Sequence, residues 1–432
     1  MTGNDSQALR RWLGSMRTAL DEGRLDVARQ VAAAVETRWR RQPLVCLALG
    51  ELAMFDGDLD CAERELSAAL RADARLAAAW HDLGAVAQWR QDYGRAIECL
   101  QHALALAPDA RDSAIALAYS LFASGRYDEG WRWYERRPGG QAELPRPRAL
   151  WDGSVQRHAT LAVFAEEGLG DVLQFCRYLP ELRDRVARLY LVLDGFYKGL
   201  APLLSSLLGA DAIVTDRKNG PPIHAFCPLL SLAHFAGASP ERPGDVPYLS
   251  PPSERVRDWR IRLGERRNLR VGLVWAGNPR TTPQGAAIDA RRSIDPALLG
   301  PFFEVPNIEW HSLQLGEGLA QWNRVPRAAT VIDHREDLIN FAETTALMVN
   351  LDLIITVDTS VAHAAGAIGA PVFLLSRFDS CWRWGPRGRR TPWYPTMQIF
   401  RQHAFGDWGR AIADAAMSMR LFHASNNGGN SK

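Results

Sequence analysis

The chain lacks any apolar run approaching the ~20 residues a membrane-spanning helix needs. Its opening residues, MTGNDSQALRRWLG, lack a basic-then-apolar signal architecture. The expectation is a cytoplasmic protein without a membrane span. The six cysteines (Cys46, Cys61, Cys99, Cys176, Cys227 and Cys381) lie far apart, with no CxxC pair and no histidine at ligand spacing. They argue against a zinc or disulfide framework and for free, mostly buried thiols in a reducing compartment. A global charge imbalance is missing too: the formal net charge is +2 over 432 residues. No overall field therefore directs the protein to nucleic acid or to an anionic membrane face. An apolar content of 47% with 23% charged residues fits a soluble globular protein, and the length exceeds one ordinary core, so two or three domains are expected. Arginine supplies most of the positive charge, and its planar fork suits carboxylates and phosphates.

The first third repeats itself. Trp12, Cys46, Trp80 and Ala114 stand 34 residues apart, as do Ala28, Ala62, Ala96 and Gly130, and Leu25, Leu59, Tyr93 and Tyr127. In the clearest copy, Trp80, Leu83-Gly84, Ala96, Leu100, Ala103 and Pro108 occupy the large and small positions that let two antiparallel helices interlock. Gly23, Gly57 and Gly125 mark turns inside three copies. The pattern resembles the tetratricopeptide repeat, which implies helical hairpins stacked into a short solenoid. The concave face of such solenoids often binds a peptide or another protein chain, which the resemblance implies here. Two readings stay open: recognition of a partner or acceptor, and mere docking or self-association. Trp131, Trp133 and Tyr134 read as packing for the end of the stack.

Helix breakers concentrate in PGGQAELPRP, from Pro138 to Pro147, and mark a boundary. Beyond it, strand-like and helix-like stretches alternate, which implies a parallel, Rossmann-like sheet. The informative turn is Glu166-Glu167-Gly168-Leu169-Gly170-Asp171, between the strand Ala159 to Ala165 and a helix. Gly168 and Gly170 allow close approach of backbone, and Asp171 stands at the helix start as a candidate base or as a simple capping carboxylate. His224 and His234 read as polar groups at a cleft edge or in a core rather than as metal ligands, because no acidic or cysteine cluster accompanies them. An arginine-rich helix, Glu254 to Arg267, reads as a connector.

A second alternating region begins with the strand Arg270 to Trp275 and the turn Ala276-Gly277-Asn278-Pro279. A polar loop, Arg280 to Ser293, would then bring Arg291 and Arg292 beside Asn278 to clamp a diphosphate, or stay solvated. Next come the strand Glu309 to Leu315, ending at Gly316-Glu317, and DLIITVDTSVAHAAGAIGAPVFLL, from Asp352 to Leu375. In the last stretch Asp358-Thr359-Ser360 opens a helix at a strand's carboxyl end, where free backbone N–H groups and the positive end of the helix dipole suit a phosphate. A structural cap by Asp358 or Thr359 is the plainer alternative.

The segments EEGLGDVLQFCRYLP, RVGLVWAGNP, RRS, LGEG and VDTSVAHAAGAIGAPVFLL, in that order, resemble glycosyltransferase family 9, which contains the lipopolysaccharide heptosyltransferases. The resemblance covers residues from about 151 to 408. It implies a fold class of α plus α/β: a tetratricopeptide solenoid followed by the two Rossmann-like domains of a GT-B fold. The domains expected are repeats over 1–137, a linker over 138–150, an acceptor-side domain over 151–265, a nucleotide-sugar-binding domain over 266–424 and a disordered tail over 425–432. By the same resemblance Asp171 is the general base, Glu317 holds the ribose hydroxyls, and His363 matches a histidine of the phosphate helix. Asn278, Arg291, Arg292, Asp358, Thr359 and Ser360 complete the donor site. Neither metal nor cofactor is expected, and the donor is a nucleotide-diphosphate sugar.

This sequence departs from the family at two places. Arg292 stands where the family has a lysine, and Trp382, Trp384 and Trp393 replace the heptosyltransferase pattern around the donor. A heptose donor is therefore not assumed, and plain packing of the tryptophans stays open. The expected reaction is inverting transfer of a sugar to an acceptor hydroxyl, with a protein acceptor preferred because repeats joined to such a transferase also resemble the eukaryotic enzyme that puts N-acetylglucosamine on Ser and Thr. A lipopolysaccharide or other glycan acceptor, and an inactive repeat-based scaffold, are the alternatives.

Overall fold

The 34-residue step becomes four helical hairpins: α1 (Gly3–Asp21) with α2 (Leu25–Ala33), α3 (Pro43–Phe55) with α4 (Leu59–Ala72), α5 (Ala77–Trp89) with α6 (Tyr93–Leu106), and α7 (Arg111–Ala123) with α8 (Tyr127–Tyr134). This is a computed structural model, which describes residues 3–137, 149–208, 213–216, 220–280, 282–326 and 330–428. The expected linker lies outside the described residues over 138–148. The chain forms two compact units, Met1–Arg137 with Pro279–Ala290, and Pro138–Asn278 with Arg291–Lys432.

In the first unit the small residues of the repeat let helices approach closely. A Cβ on Gly84 would lie 2.7 Å from Leu100 Cγ, and one on Gly50 the same distance from Leu66 Cγ. Ala28, Ala62 and Ala96 are fully buried at equivalent places. Turns between paired helices need a left-handed residue, supplied by Gly23, Gly57 and Gly125 (φ +68°, +76° and +84°). Gln91 adopts it in the third copy (φ +63°), so that hairpin keeps its turn without glycine. Asp58 and Asp92 then cap α4 and α6, their carboxylates accepting from the amides of Cys61 and Arg95. Trp131 and Tyr134 are buried around Phe122, which also fills the space that a Cβ on Gly130 would take. The expected polar loop over Arg280 to Ser293 is instead helical from Pro283 to Arg292 (α13). Pro283 packs on Gly23, where a Cβ would lie 3.2 Å from its Cγ, and a proline at the first helical position suits the start of that helix.

The second unit carries two all-parallel sheets. The first contains β1 (Ala149–Leu150), β2 (Gln156–Phe164), β3 (Val186–Val192), β4 (Ile213–Val214) and β5 (Ala225–Pro228), in the order β1-β5-β2-β3-β4. Residues 149 and 150, expected in the linker, are thus an edge strand paired with β5. Its helices are α9 (Leu169–Phe175), α10 (Ala201–Leu208) and α11 (Ser231–Ala236). After α12 (Ser253–Leu263) the second sheet contains β6 (Leu269–Val274), β7 (Ile308–Ser312), β8 (Val331–Asp333), β9 (Leu353–Val357), β10 (Val372–Ser376) and β11 (Met397–Arg401). The short helix α14 (Gly300–Phe303), then α15 (Phe341–Val349), α16 (Ser360–Ala367) and α17 (Gly409–Gly428) complete it. Residues 425–428, expected in a disordered tail, belong to α17, and 429–432 lie outside the described residues.

The strand order β11-β10-β9-β6-β7-β8 is that of a Rossmann sheet, with the chain reversing direction between β6 and β9. The first sheet reverses in the same way between β2 and β5. At such points the loops leaving the carboxyl ends of the strands part and open a crevice for ligand. β6 and β9 are buried along their whole length, as strands covered on both faces must be. Two Rossmann-like sheets in one unit after a helical solenoid make the fold α plus α/β with a GT-B arrangement.

A buried histidine pair ties β7 to the segment after β8. His311 Nδ1 and His334 Nε2 are 2.9 Å apart, and the rings stack with centroids 5.2 Å apart. His311 Nε2 lies 2.9 Å from Glu309 Oε1 without hydrogen-bond alignment, while Arg270 Nε donates to the same oxygen at 3.1 Å. Burial, reinforced by His334 and Arg270, pushes His311 down to about 3, and burial lowers His334 as well.

Gly84→Val forces Leu100 aside and should destabilise the repeats by about 1–3 kcal/mol, whereas Gly14→Ala, where a Cβ meets nothing within 4 Å, should be neutral or stabilising by up to about 1 kcal/mol. Thermal melts followed by circular dichroism compare them. For the histidines, the unfolded chain takes up protons near the ordinary histidine value and the folded chain does not. Their contribution is therefore complete above about pH 6.5 and is lost as pH falls toward 3. The thermal midpoint should drop over that window less steeply for His311→Asn than for the unaltered chain.

Candidate functional site

The turns at both reversal points come together. After β2, Glu167 holds a left-handed backbone (φ +58°), and its carbonyl accepts from the Tyr197 hydroxyl at 2.8 Å. The buried Glu166 carboxylate accepts from the Leu230 amide at 3.0 Å and ties this turn to the end of β5. Gly168 precedes α9, and its amide donates to Asp171 Oδ2 at 3.1 Å, while the Asp171 amide donates to the Gly168 carbonyl at 3.0 Å. The capping role expected for Asp171 is thus observed. Its other oxygen is held differently: Arg383 Nη2 donates to Oδ1 at 2.5 Å.

Gly170 packs directly on α16. A Cβ there would lie 2.7 Å from His363 Cδ2 and 3.4 Å from Ser360 Cα. Only glycine permits this approach, which brings the amino ends of α9 and α16 side by side. At the start of α16, Thr359 takes the N-cap position with extended backbone and makes no side-chain capping bond; its hydroxyl lies 3.3 Å from that of Thr356. Neither alternative cap is therefore used in the usual way, and Asp358, Thr359 and Ser360 are all partly exposed. No side chain therefore caps the first amides of the helix, which carry the positive end of its dipole.

His363 is buried one turn further along α16. Its Nδ1 lies 2.9 Å from the Tyr394 hydroxyl. Burial first, then the charges of Arg383 and Arg177, hold its pKa well below the ordinary histidine range, so the ring is neutral. Arg177 is itself buried, donating to the carbonyls of Gln174, Pro243 and Trp393 and to the Tyr248 hydroxyl, with its guanidinium over the rings of Tyr248 and Tyr394 at 4.3 and 5.0 Å. Trp382, Trp384 and Trp393 are buried in the same layer, Trp384 with its ring centroid 5.0 Å from that of His363. Trp384 thus packs on α16, and Trp382 meets Trp393 edge-on with ring centroids 5.7 Å apart.

The β6 turn supplies the other side. Arg292 Nη1 donates to the Asp358 carbonyl at 3.1 Å and Nη2 to the Asn278 carbonyl at 3.4 Å. Its guanidinium lies on Gly277, where a side chain would collide with it. Asn278 in turn lies against Gly316, whose φ of +69° and lack of a Cβ the contact requires. Arg292 thus reaches the α16 turn from the last residue of a helix, not from a flexible loop. Arg291 points elsewhere, pairing with the buried Asp379 at 3.2 Å; burial, then Arg377, outweigh that carboxylate and lower the Arg291 pKa. Glu317 is exposed at the first turn of a 3-10 helix, Gly316–Arg324.

Two residues of the site carry no strong signal in the sequence. Buried Gln314 accepts from the amides of Trp275 and Ala276 and donates to the carbonyls of Ala276 and Leu315, locking the β6 and β7 turns together. Only its place just ahead of Leu315-Gly316-Glu317 marks it. Arg383 sits between Trp382 and Trp384, two larger side chains that mask it in the sequence. His224 accepts from the Thr160 amide at 3.0 Å, joining the approach to β5 to the neighbouring strand β2. Among the described residues no group of three His, Cys, Asp or Glu is placed to hold a metal ion, and no helix is long and apolar enough to cross a membrane.

A tetratricopeptide-repeat family model matches residues 77–110, the copy containing Trp80 and Pro108. Protein FlbA of Caulobacter vibrioides is 28% identical over 351 residues, 72% of this chain and 55% of that protein, so the chain spans about half the length of the curated relative it matches. Among solved structures, a mutant of the Thermobaculum terrenum O-GlcNAc transferase is 15% identical, covering 97% of this chain and 91% of its own with a TM-score of 0.35. A tetratricopeptide protein of Thermus thermophilus is 25% identical over 29% of this chain and 71% of its own, with a TM-score of 0.27. TM-scores this low establish no residue correspondence.

Gly170→Ala should cost about 1–3 kcal/mol by forcing α9 and α16 apart. Adding His363→Ala, which empties the opposing space, should make the double variant more stable than the sum of the two single losses. Thermal melts of the four proteins measure the coupling.

Proposed function

We propose that the chain is an inverting glycosyltransferase that moves a sugar from a nucleotide-diphosphate sugar to an acceptor hydroxyl. The observation that carries this reading is the meeting of the α9 and α16 turns. Asp171, the residue after Gly170, belongs to the turn that packs on the amino end of α16, where Thr359 makes no side-chain cap and Arg292 is anchored on the Asp358 carbonyl. The diphosphate would lie on the α16 amides beside Arg292, with Glu317 available to the ribose hydroxyls. The acceptor oxygen attacks the anomeric carbon from the face opposite the leaving group, its proton passes to Asp171, and the carbon–oxygen bond to the diphosphate breaks. Charge grows on the leaving phosphate as that bond breaks, and a fixed cation and oriented amides lower the energy of that state. No step in this reading requires a metal or cofactor.

The repeats support a protein acceptor. Their helical hairpins present an extended surface of the kind that takes up a peptide, and residues on α1, α3, α5 and α7 carry hydrogen-bonding groups in register, among them Arg17 with Glu51 and His81 with Ser113. A lipopolysaccharide or other glycan is the competing acceptor.

Nucleoside diphosphates should raise the thermal midpoint of the full chain, because a ligand of the folded state stabilises it by mass action. Across UDP, GDP, ADP and dTDP and their sugars, one base should stand out. Arg292→Ala should weaken that binding by about tenfold or more, the loss expected for a charge-assisted hydrogen bond. Asp171→Asn should keep the midpoint shift and lose turnover. Absence of any shift or turnover across the panel would favour the inactive scaffold.

A further inference from the structure

Arg383 is unusually constrained for an arginine. Its Nη2 donates to Asp171 Oδ1 at 2.5 Å, and its Nε donates to the Gln174 side-chain oxygen one turn along the same helix. The guanidinium lies over Trp382 at 4.6 Å and faces Phe175 at 5.4 Å. Its own carbonyl accepts from the Thr391 hydroxyl at 2.8 Å, which fixes the backbone beneath it. The side chain is 9% exposed, against 25% for Asp171. The cation is thus enclosed while the carboxylate it holds reaches solvent, and Asp171 is gripped from one side by Arg383 and from the other by the Gly168 amide.

We propose that Arg383 is the positioning residue of Asp171: it holds the carboxylate aimed toward the α16 turn, so that the base is preorganised before substrate arrives. The inference rests on the transferase reading above. A carboxylate at the end of a short side chain has two torsions to settle. Two donors on different oxygens settle both and leave the remaining lone pairs directed outward. Misplacing a catalytic group by about an ångström can lower the rate about a hundredfold. Arg383 does not itself touch the reacting atoms in this scheme; it acts through Asp171.

The test measures release of free nucleoside diphosphate by the full chain from UDP-, GDP-, ADP- and dTDP-sugars, in unaltered protein and in Arg383→Gln, Arg383→Lys, Asp171→Asn and the double variant Asp171→Asn with Arg383→Gln. Arg383→Gln should lower kcat tenfold or more with donor KM changed less than twofold, Arg383→Lys should recover part of the loss, and the double variant should be no slower than Asp171→Asn alone. A kcat for Arg383→Gln within twofold of the unaltered protein, or a further loss in the double variant, would overturn the role. Circular dichroism screens each variant, and if Arg383→Gln does not fold, Gln174→Leu, which removes one anchor of the guanidinium, replaces it with the same expected split between kcat and KM. Full activity in Asp171→Asn sinks the base assignment itself, whereas an inactive Asp171→Asn beside a fully active Arg383→Gln sinks this inference alone.

Discussion

The site depends on one close approach, Gly170 against α16. The bare backbone of Gly170 meets the His363 ring and the Ser360 backbone of α16 there, so the α9 turn and the α16 turn share one small volume. The features on the α9 side of the site take their positions from this contact. The α9 turn that carries Asp171 comes against the first turn of α16, His363 is shut beneath the turn as a neutral ring, and Arg383 can reach Asp171 from the strand-end segment beyond β10. With a Cβ at residue 170 these groups would still exist in the chain but would not converge.

The charges around that contact are arranged in layers. Arg177 lies deepest, with carbonyls and aromatic faces around it, and it steadies the α9 region against the segment carrying Trp393. Arg383 lies between, neutralised by Asp171. Arg292 lies on the far side of the α16 turn, held by two backbone carbonyls. A guanidinium that bonds carbonyls keeps its full charge, so the anion-receptive character of the α16 turn comes from the helix end and Arg292 together. Gln314 works differently, by making the β6 and β7 turns one rigid piece, and so it fixes where Asn278 and Gly316 can stand.

Much of the architecture is legible in the sequence because it is written in local periodicity. The 34-residue step marks hairpins wherever large and small residues alternate in this register, and even the copy with Gln91 in place of glycine keeps it. Parallel strands announce themselves as short apolar runs ending in Gly, Asp, Asn or Thr. Structure and expectation part where local pattern is weakest. The stretch from Arg280 to Ser293 is polar enough to pass for a loop, yet it holds a helix opened by Pro283. Residues 425–428 extend α17 rather than a disordered tail for a similar reason, because a polar helix end has no apolar stripe to reveal it. Arg383 and Gln314 are illegible because their partners lie far away in sequence, at Asp171 and at Trp275 and Ala276.

The amino-acid sequence by itself determined most of the elements, the glycines at the turns and the residue types at the strand ends, since these follow from backbone preferences and from hydrophobic spacing within a few tens of residues. Tertiary structure decided which turns meet, which of the two adjacent arginines faces the α16 turn, and what holds Asp171. Adjacent residues near the end of a helix point about 100° apart, so Arg291 goes to Asp379 and Arg292 to Asp358, a division set by where the β9 and β10 ends lie in space. The pairing of Asp171 with Arg383 spans more than two hundred residues, and no local rule reaches that far: it exists only because packing at Gly170 brings the two sheets' turns together.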